Sequence, residues 1–153
     1  MAKLIVRALR EGDLDFVAAR LRPADVDEAH ASVGHHDMAL VLRESVERST
    51  MVWAIEVGGE PAGLFGAAEA APDIGVPWLL GTAALERAPK QLTKLGRQYV
   101  RLMLQRYATL VNLVDARNLK SIYWLARLGF TVHANTVPFG PFNMPFHRFG
   151  ATQ

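Results

Sequence analysis

The stretch Leu113-Val114-Asp115-Ala116-Arg117-Asn118, followed by Ser121, Tyr123-Trp124-Leu125 and Gly129-Phe130, decides the fold. With Val111 just before it, it opens on the apolar residues of a strand. Asp115 to Asn118 make a polar turn and cap the next helix. Ile122, Leu125, Ala126 and Leu128 recur at helical spacing and give that helix its buried side. Gly129 stops it where a left-handed residue is needed. Phe130-Thr131-Val132 then starts a new strand.

Upstream of this stretch the pattern predicts a long helix from about Pro89 to Tyr107, with Leu92, Leu95, Tyr99, Leu102 and Met103 on its apolar face. Lys90, Lys94, Arg97 and Arg101 fall at i, i+4, i+7 and i+11, which is one continuous stripe. A solvated face accounts for the stripe, and so does an anion site, since no acidic residue lies between Arg87 and Val114. Before the helix, Val76 to Thr82 reads as a strand with Pro77 at its start or at a bulge. Earlier still, Met51–Val57 and Ala62–Ala67 form a hairpin around Gly58-Gly59. The small residues of its second strand admit a close neighbour, read here as a helix packed over the sheet.

The chain begins with a strand, Ile5 to Leu9. Asp13 caps a helix marked by Leu14, Val17, Ala18 and Leu21. Pro23 opens a second helix with Asp25 and Glu28 at capping-box spacing. Gly34-His35-His36-Asp37 breaks it, and Met38, Val41, Leu42 and Val46 mark a third. At the other end, Phe130 to Val137 is a strand, Pro138 to Pro145 a stiff aromatic loop, and Phe146 to Phe149 the last strand. The order predicts an α/β chain of one domain over residues 1–153. Its mixed sheet (an α+β arrangement of six to seven strands) is flanked by helices, with the fourth and fifth strands parallel.

Composition narrows the chemistry. Without cysteine there is no disulfide, thiolate nucleophile or cysteine-based metal site. No apolar run reaches the roughly 20 residues that span a bilayer. The first residues lack the apolar core of a signal peptide. A cytoplasmic location without membrane association is the expectation. His35-His36-Asp37 has no second cluster to complete a metal site and reads as a polar loop. The net charge of +2 hides a split. Residues 1–86 carry 7 Lys/Arg against 14 Asp/Glu, and residues 87–153 carry 10 against Asp115 alone. Either the second half faces an anionic partner or the halves neutralise each other.

The element order resembles that of the GCN5-related N-acetyltransferase (GNAT) superfamily along nearly the whole chain. Val114 to Asn118, Ser121 and Leu128-Gly129-Phe130 are its specific part. The resemblance implies acetyl transfer from acetyl-CoA to an amine, with the cofactor between the splayed fourth and fifth strands. Leu79, Leu80, Gly81 and Thr82 would line the acetyl group and pantetheine. Arg87, Lys90 and Lys94 would lie near the phosphates, and Asn118 would touch the pantetheine arm. A narrower resemblance, through Trp78 to Thr82, Val114 to Asn118, Trp124-Leu125 and Pro145 to Phe149, is to GNAT-related proteins of tailed, T7-like bacteriophages. It implies a phage origin and an alternative role as a non-catalytic virion or assembly protein, located in the virion.

Two features depart from the superfamily pattern. The loop before the long helix, Gly81 to Pro89, lacks the usual glycine pair and carries Glu86. Leu125 stands where many members have a tyrosine that protonates the departing thiolate. Tyr123, two residues earlier and about 200° around the helix, is the candidate acid. Glu69 is the candidate base, with Asp73, His133 and His147 as further titratable groups. Beyond acetyl-CoA and an amine acceptor, the 138–145 loop is the expected contact with a protein partner or second subunit, unless it folds back over the core. Nucleic acid ranks last as a partner, because no aromatics interleave with the basic stripe.

Overall fold

The computed structural model describes residues 2–153. Its strands are β1 (Leu4–Arg7), β2 (Ser49–Val57), β3 (Glu60–Ala71), β4 (Ile74–Gly81), β5 (Thr109–Asp115), β6 (Thr131–Phe139) and β7 (Met144–Thr152). They form one seven-stranded sheet in the order β1-β2-β3-β4-β5-β7-β6. Every neighbouring pair is antiparallel except β4 with β5. The helices are α1 (Asp13–Ala18), α2 (Pro23–Val33), α3 (Met38–Arg48), α4 (Pro89–Arg106) and α5 (Leu119–Arg127), with a short 3-10 turn over Ala83–Arg87. No helix among the described residues is long and apolar enough to cross a membrane.

The alternation of each strand sends side chains to two different layers. On one face Trp53 and Phe65 meet Tyr99 of α4 at ring-centroid distances of 4.7 and 5.2 Å. Met103, Tyr107, Leu128 and Phe149 fill the same layer. On the other face Ala54 and Leu64 pack against Val17 of α1 and Leu42 of α3. The alternation continues in β4, where Leu79 packs on the α4 side and Leu80 on the α2–α3 side.

Local chemistry fixes the turns as the sequence predicts. Gly58 and Gly59 have φ of 61° and 82°, the left-handed pair that a two-residue hairpin requires. Gly129 ends α5 at φ 102°. Pro23 and Pro89 both open helices, where a missing N–H costs nothing.

Several expectations are corrected. β1 runs from Leu4 only to Arg7, where its pairing with β2 stops opposite Ala54, so Ala8 and Leu9 lie beyond the strand. Asp13 does not cap α1. Its carboxylate instead takes the Arg7 guanidinium at 2.7 Å and the Arg10 N–H, and the Arg7 hydrogen bonds hold it below the usual carboxylate range. Asp25 and Glu28 form no capping box, since α2 has no side-chain cap at all. Leu102 and Ala126 are exposed, beyond the edges of their helices' buried stripes. The glycines of β3 seat strand backbone, while Ala67 packs in the layer that Met103 of α4 fills. A side chain on Gly66 would collide with the Met51 carbonyl at a β2 bulge, and one on Gly63 would press on the Leu80 carbonyl at 3.2 Å.

The 138–145 segment is likewise not a long loop. Pro138 and Phe139 belong to β6, Met144 and Pro145 to β7, and only residues 140–143 turn. This turn folds onto α2. Gly140 is pressed against the Ala31 carbonyl, so that a Cβ there would clash, and Pro141 lies against Gly34. Phe142 sits 5.1 Å from His30, which stacks on His36 at 3.8 Å. His35 and Asp37 serve the same corner, with Asp37 capping α3 through the Leu40 N–H at 3.0 Å.

Candidate active site

β4 and β5 pair only at Ile74↔Thr109 and Gly75↔Leu110. Beyond these two positions the strands diverge. Asn112 closes the base of the gap. Its amide nitrogen donates to the Pro77 carbonyl at 2.7 Å, and its amide oxygen accepts the Leu113 N–H at 2.7 Å. One side chain thereby replaces a rung of the sheet ladder on both strands.

Strand alternation identifies what faces the gap. The Pro77 carbonyl and the Gly81 N–H both leave the β4 edge toward β5, and the β3–β4 register is unbroken between them. The Leu79 N–H and C=O, midway between, lie on that same edge. Carried along the offset of the two paired positions, Leu79 stands level with Val114, next to Asp115.

The open end of the gap is spanned from α2. The Asp25 carboxylate accepts the Gly81 N–H of β4 at 2.9 Å. One turn later the Glu28 carboxylate accepts the Asp115 N–H of β5 at 2.8 Å. Residues at i and i+3 share a helix face, so one face of α2 holds the ends of both diverging strands. Arg22 pairs with Asp25 at 2.9 Å and Arg117 with Asp115 at 2.6 Å. Glu28 has only neutral donors, the Asp115 N–H and the Asn118 side chain.

The electrostatics follow from that difference. Burial pushes the Glu28 carboxyl up to about 7. The Asp115 N–H opposes this, while the nearby charges of Asp25 and Asp115 add to it. Burial also raises Asp25, against the offsetting Arg22 charge and Gly81 N–H. Burial would raise Asp115 as well, but the Arg117 hydrogen bonds prevail and hold it below the usual range.

A groove of about 400 Å³ runs through the gap. On one side it is walled by Leu92, Gly96 and Tyr99 of α4 and by Ser121, Trp124 and Leu125 of α5. On the other it meets Glu28, Ser32 and Val41 of the α2–α3 pair, together with Phe139. The Trp124 indole N–H is buried with no hydrogen-bond partner, and a buried donor of this kind favours an acceptor supplied by a bound molecule.

The predicted site residues divide into several groups. Leu79 and Leu80 line the groove. Gly81 and Thr82 do not, because their N–H groups are spent on Asp25 and on the Ala62 carbonyl at 2.8 Å. Asn118 is buried, caps α5 through the Ser121 N–H and reaches Glu28. Arg87, Lys90 and Lys94 are exposed around the start of α4, whose first turn has no side-chain cap. Arg87 pairs loosely with Glu60 at 3.6 Å.

Neither predicted catalytic residue reaches the gap. Glu69 lies four residues along β3 from Phe65, the partner of Leu79, which is roughly 13 Å. Its carboxylate is held by Arg106 at 2.9 Å and by the Tyr107 hydroxyl at 3.2 Å. Tyr123 is 68 % exposed on the outer face of α5. Asp73 lies on the turn into β4, and the His147 ring meets the backbone carbonyl of His133 at 2.7 Å across β6–β7. The residues that sequence reasoning missed are Glu28, Asp25, Asn112 and Trp124. The i, i+3 carboxylates of α2, beside the buried Ala29, were the available signal.

With this geometry the chain compares closely to solved acetyltransferases. It aligns over 99 % of its length with 95 % of aminoglycoside acetyltransferase AAC(6')-Ib in complex with coenzyme A, at a TM-score of 0.71 and 20 % identity. It aligns over 98 % with 95 % of a spermidine N-acetyltransferase from Vibrio cholerae in complex with CoA and spermine, at a TM-score of 0.66 and 15 % identity. A putative acetyltransferase matches at a TM-score of 0.73 and 15 % identity, over 97 % of this chain and 82 % of that one. The seven-stranded mixed sheet with its helices is therefore the GNAT acetyltransferase fold. No family model and no curated protein matches the chain in sequence.

Proposed function

We propose that this protein is an acetyl-CoA-dependent N-acetyltransferase acting on an amine in the cytoplasm, with Glu28 as the general base. The observation that carries the reading is the pair of groups meeting across the gap: the outward N–H and C=O of Leu79 on β4, and, at the end of β5, the Glu28 carboxylate, which Arg117 attracts only at longer range without pairing to it. Acetyl-CoA would supply the activated acetyl thioester. The Leu79 edge and the Trp124 N–H suit the amides of its pantetheine arm. Arg87, Lys90 and Lys94 with the open first turn of α4 suit its phosphates.

A carboxyl with a pKa of about 7 takes the proton of an incoming ammonium efficiently near neutral pH. The freed amine attacks the thioester carbonyl, the C–N bond forms, the C–S bond breaks, and the second N–H proton of the amine is released to solvent as the coenzyme A thiolate departs. Leu125 offers the thiolate no proton, so the groove's solvent does. Most of the acceleration would come from alignment across the gap, as GNAT-like chemistry allows.

A second reading, a phage-encoded virion or assembly protein with the fold but not the chemistry, is favoured by Leu125 and by the 3-10 turn in place of a glycine-rich loop. Calorimetric titration with acetyl-CoA and release of free thiol with amines distinguish the two. We expect micromolar to submillimolar binding, and for Glu28→Gln an acetylation rate at pH 7 lower by about 10²-fold or more with binding retained. Absence of binding at millimolar acetyl-CoA would leave the second reading standing.

A further inference from the structure

We propose that the acceptor is a primary monoamine on an apolar or aromatic body, and not a polycation such as a polyamine or an aminoglycoside. The proposal rests on the acetyl-transfer reading above and specifies its second substrate. Where the groove opens between α2 and α3, its charged lining consists of Arg22, Asp25, Glu28 and Arg48. Asp25 is consumed by Arg22 through two contacts, at 2.9 and 3.2 Å, and by the Gly81 N–H. Arg48 is itself a cation, with Glu44 beside it at 3.6 Å. Asp115, behind the lining, is consumed by Arg117. Glu28 alone is a carboxylate with no cation in contact, so this side of the groove neutralises one ammonium.

The remaining wall is mainly apolar, because the Ser32 and Ser45 hydroxyls in it donate to carbonyls of their own helices. Ala29, Val33, Val41, Trp78 and Phe139 line it, and Val33 and Phe139 are 43 % and 38 % exposed at the mouth. The Trp78 indole N–H is spent on Ser49 at 2.7 Å, leaving its ring to pack rather than to bond. A second ammonium on the substrate would lose its water against these side chains or approach Arg22 or Arg48. An uncompensated charge in such a place is strongly disfavoured. An alkyl or aryl body instead gains from contact with Phe139 and Val33.

The test measures release of the coenzyme A thiol with 2-phenylethylamine, hexylamine, spermidine and kanamycin at one pH, alongside acetyl-CoA titration. We expect kcat/KM for the two monoamines to exceed that for the two polycations by on the order of 100-fold or more. We also expect Phe139→Ala to raise KM for 2-phenylethylamine several-fold, with a smaller change in kcat. Spermidine or kanamycin turned over as well as the monoamines would overturn the acceptor assignment and leave the acetyltransferase reading intact. Acetyl-CoA binding without turnover of any of the four would also overturn it. Failure to bind acetyl-CoA would instead remove the underlying reading.

Discussion

At Glu28 burial and two neighbouring carboxylates act in one direction, and the consequence for stability can be signed. The folded-state pKa is about 7 against an ordinary 4.5, so between these values the native protein holds a proton that the unfolded chain has released. Stability therefore falls as pH rises from about 4.5 to 7 and stays reduced above that. Glu28→Gln keeps an oxygen for the Asp115 N–H and removes the charge. It should stabilise the protein at pH 8 by between about 1 and 3 kcal/mol and by almost nothing at pH 4.5. Denaturant titrations at the two pH values check this, and equal effects at both would show that Glu28 titrates normally. Asp13 and Asp115 have lowered pKa values and act in the opposite sense, with stability lost as pH falls through their folded-state values. None of this was legible at Glu28 itself. Asp25 and Glu28 have capping-box spacing, and the pattern carries no information about a partner 87 residues away.

At the scale of elements, the decisive feature is the early parting of β4 and β5, and Asn112 marks where it begins. Asn112→Ala deletes both amide contacts, leaving the Pro77 carbonyl and the Leu113 N–H to find water. We expect a stability loss of about 1–3 kcal/mol and a several-fold weaker affinity for acetyl-CoA as the base of the groove frays. Asn112→Asp still accepts from Leu113 but sets a carboxylate oxygen against the Pro77 carbonyl, so at neutral pH it should lose at least as much stability. Thermal melts with and without acetyl-CoA measure both effects, and an Asn112→Ala protein with unchanged melting and binding would show that the strands part without this bridge. Much at this scale was readable in advance. Gly58-Gly59 and Gly129 announce positive φ, and the apolar spacing of α4 announces its length. The parallel β4–β5 pair followed from the intervening helix. The parting was not readable from the residues alone, because a strand's own sequence does not say where its neighbour leaves it. The location of Glu69 illustrates the same limit. Its place on β3 was legible, but its distance from the gap depends on a register set by four strands.

The whole molecule consists of two half-sheets, β1 to β4 and β5-β7-β6, in contact along one short edge. Among the described residues, three ion pairs cross between the acidic and basic halves of the sequence, Arg87–Glu60, Arg106–Glu69 and Lys120–Glu86. The charge split is thus partly spent on assembly, while Lys90, Lys94 and Arg101 remain exposed. The turn between β6 and β7 reaches across to hold α2, which in turn holds the ends of β4 and β5. The same parting of strands has a consequence for the timing of single amides. Leu79 lies mid-strand, yet its N–H faces open groove, while the Leu80 N–H faces the intact β3 ladder. In hydrogen–deuterium exchange of the free protein, Leu79 should exchange like a loop residue and Leu80 like a core residue, by orders of magnitude more slowly. Saturating acetyl-CoA should slow Leu79 sharply and leave Leu80 nearly unchanged, so that one peptide bond reports whether the sheet's missing rung has been supplied by a ligand.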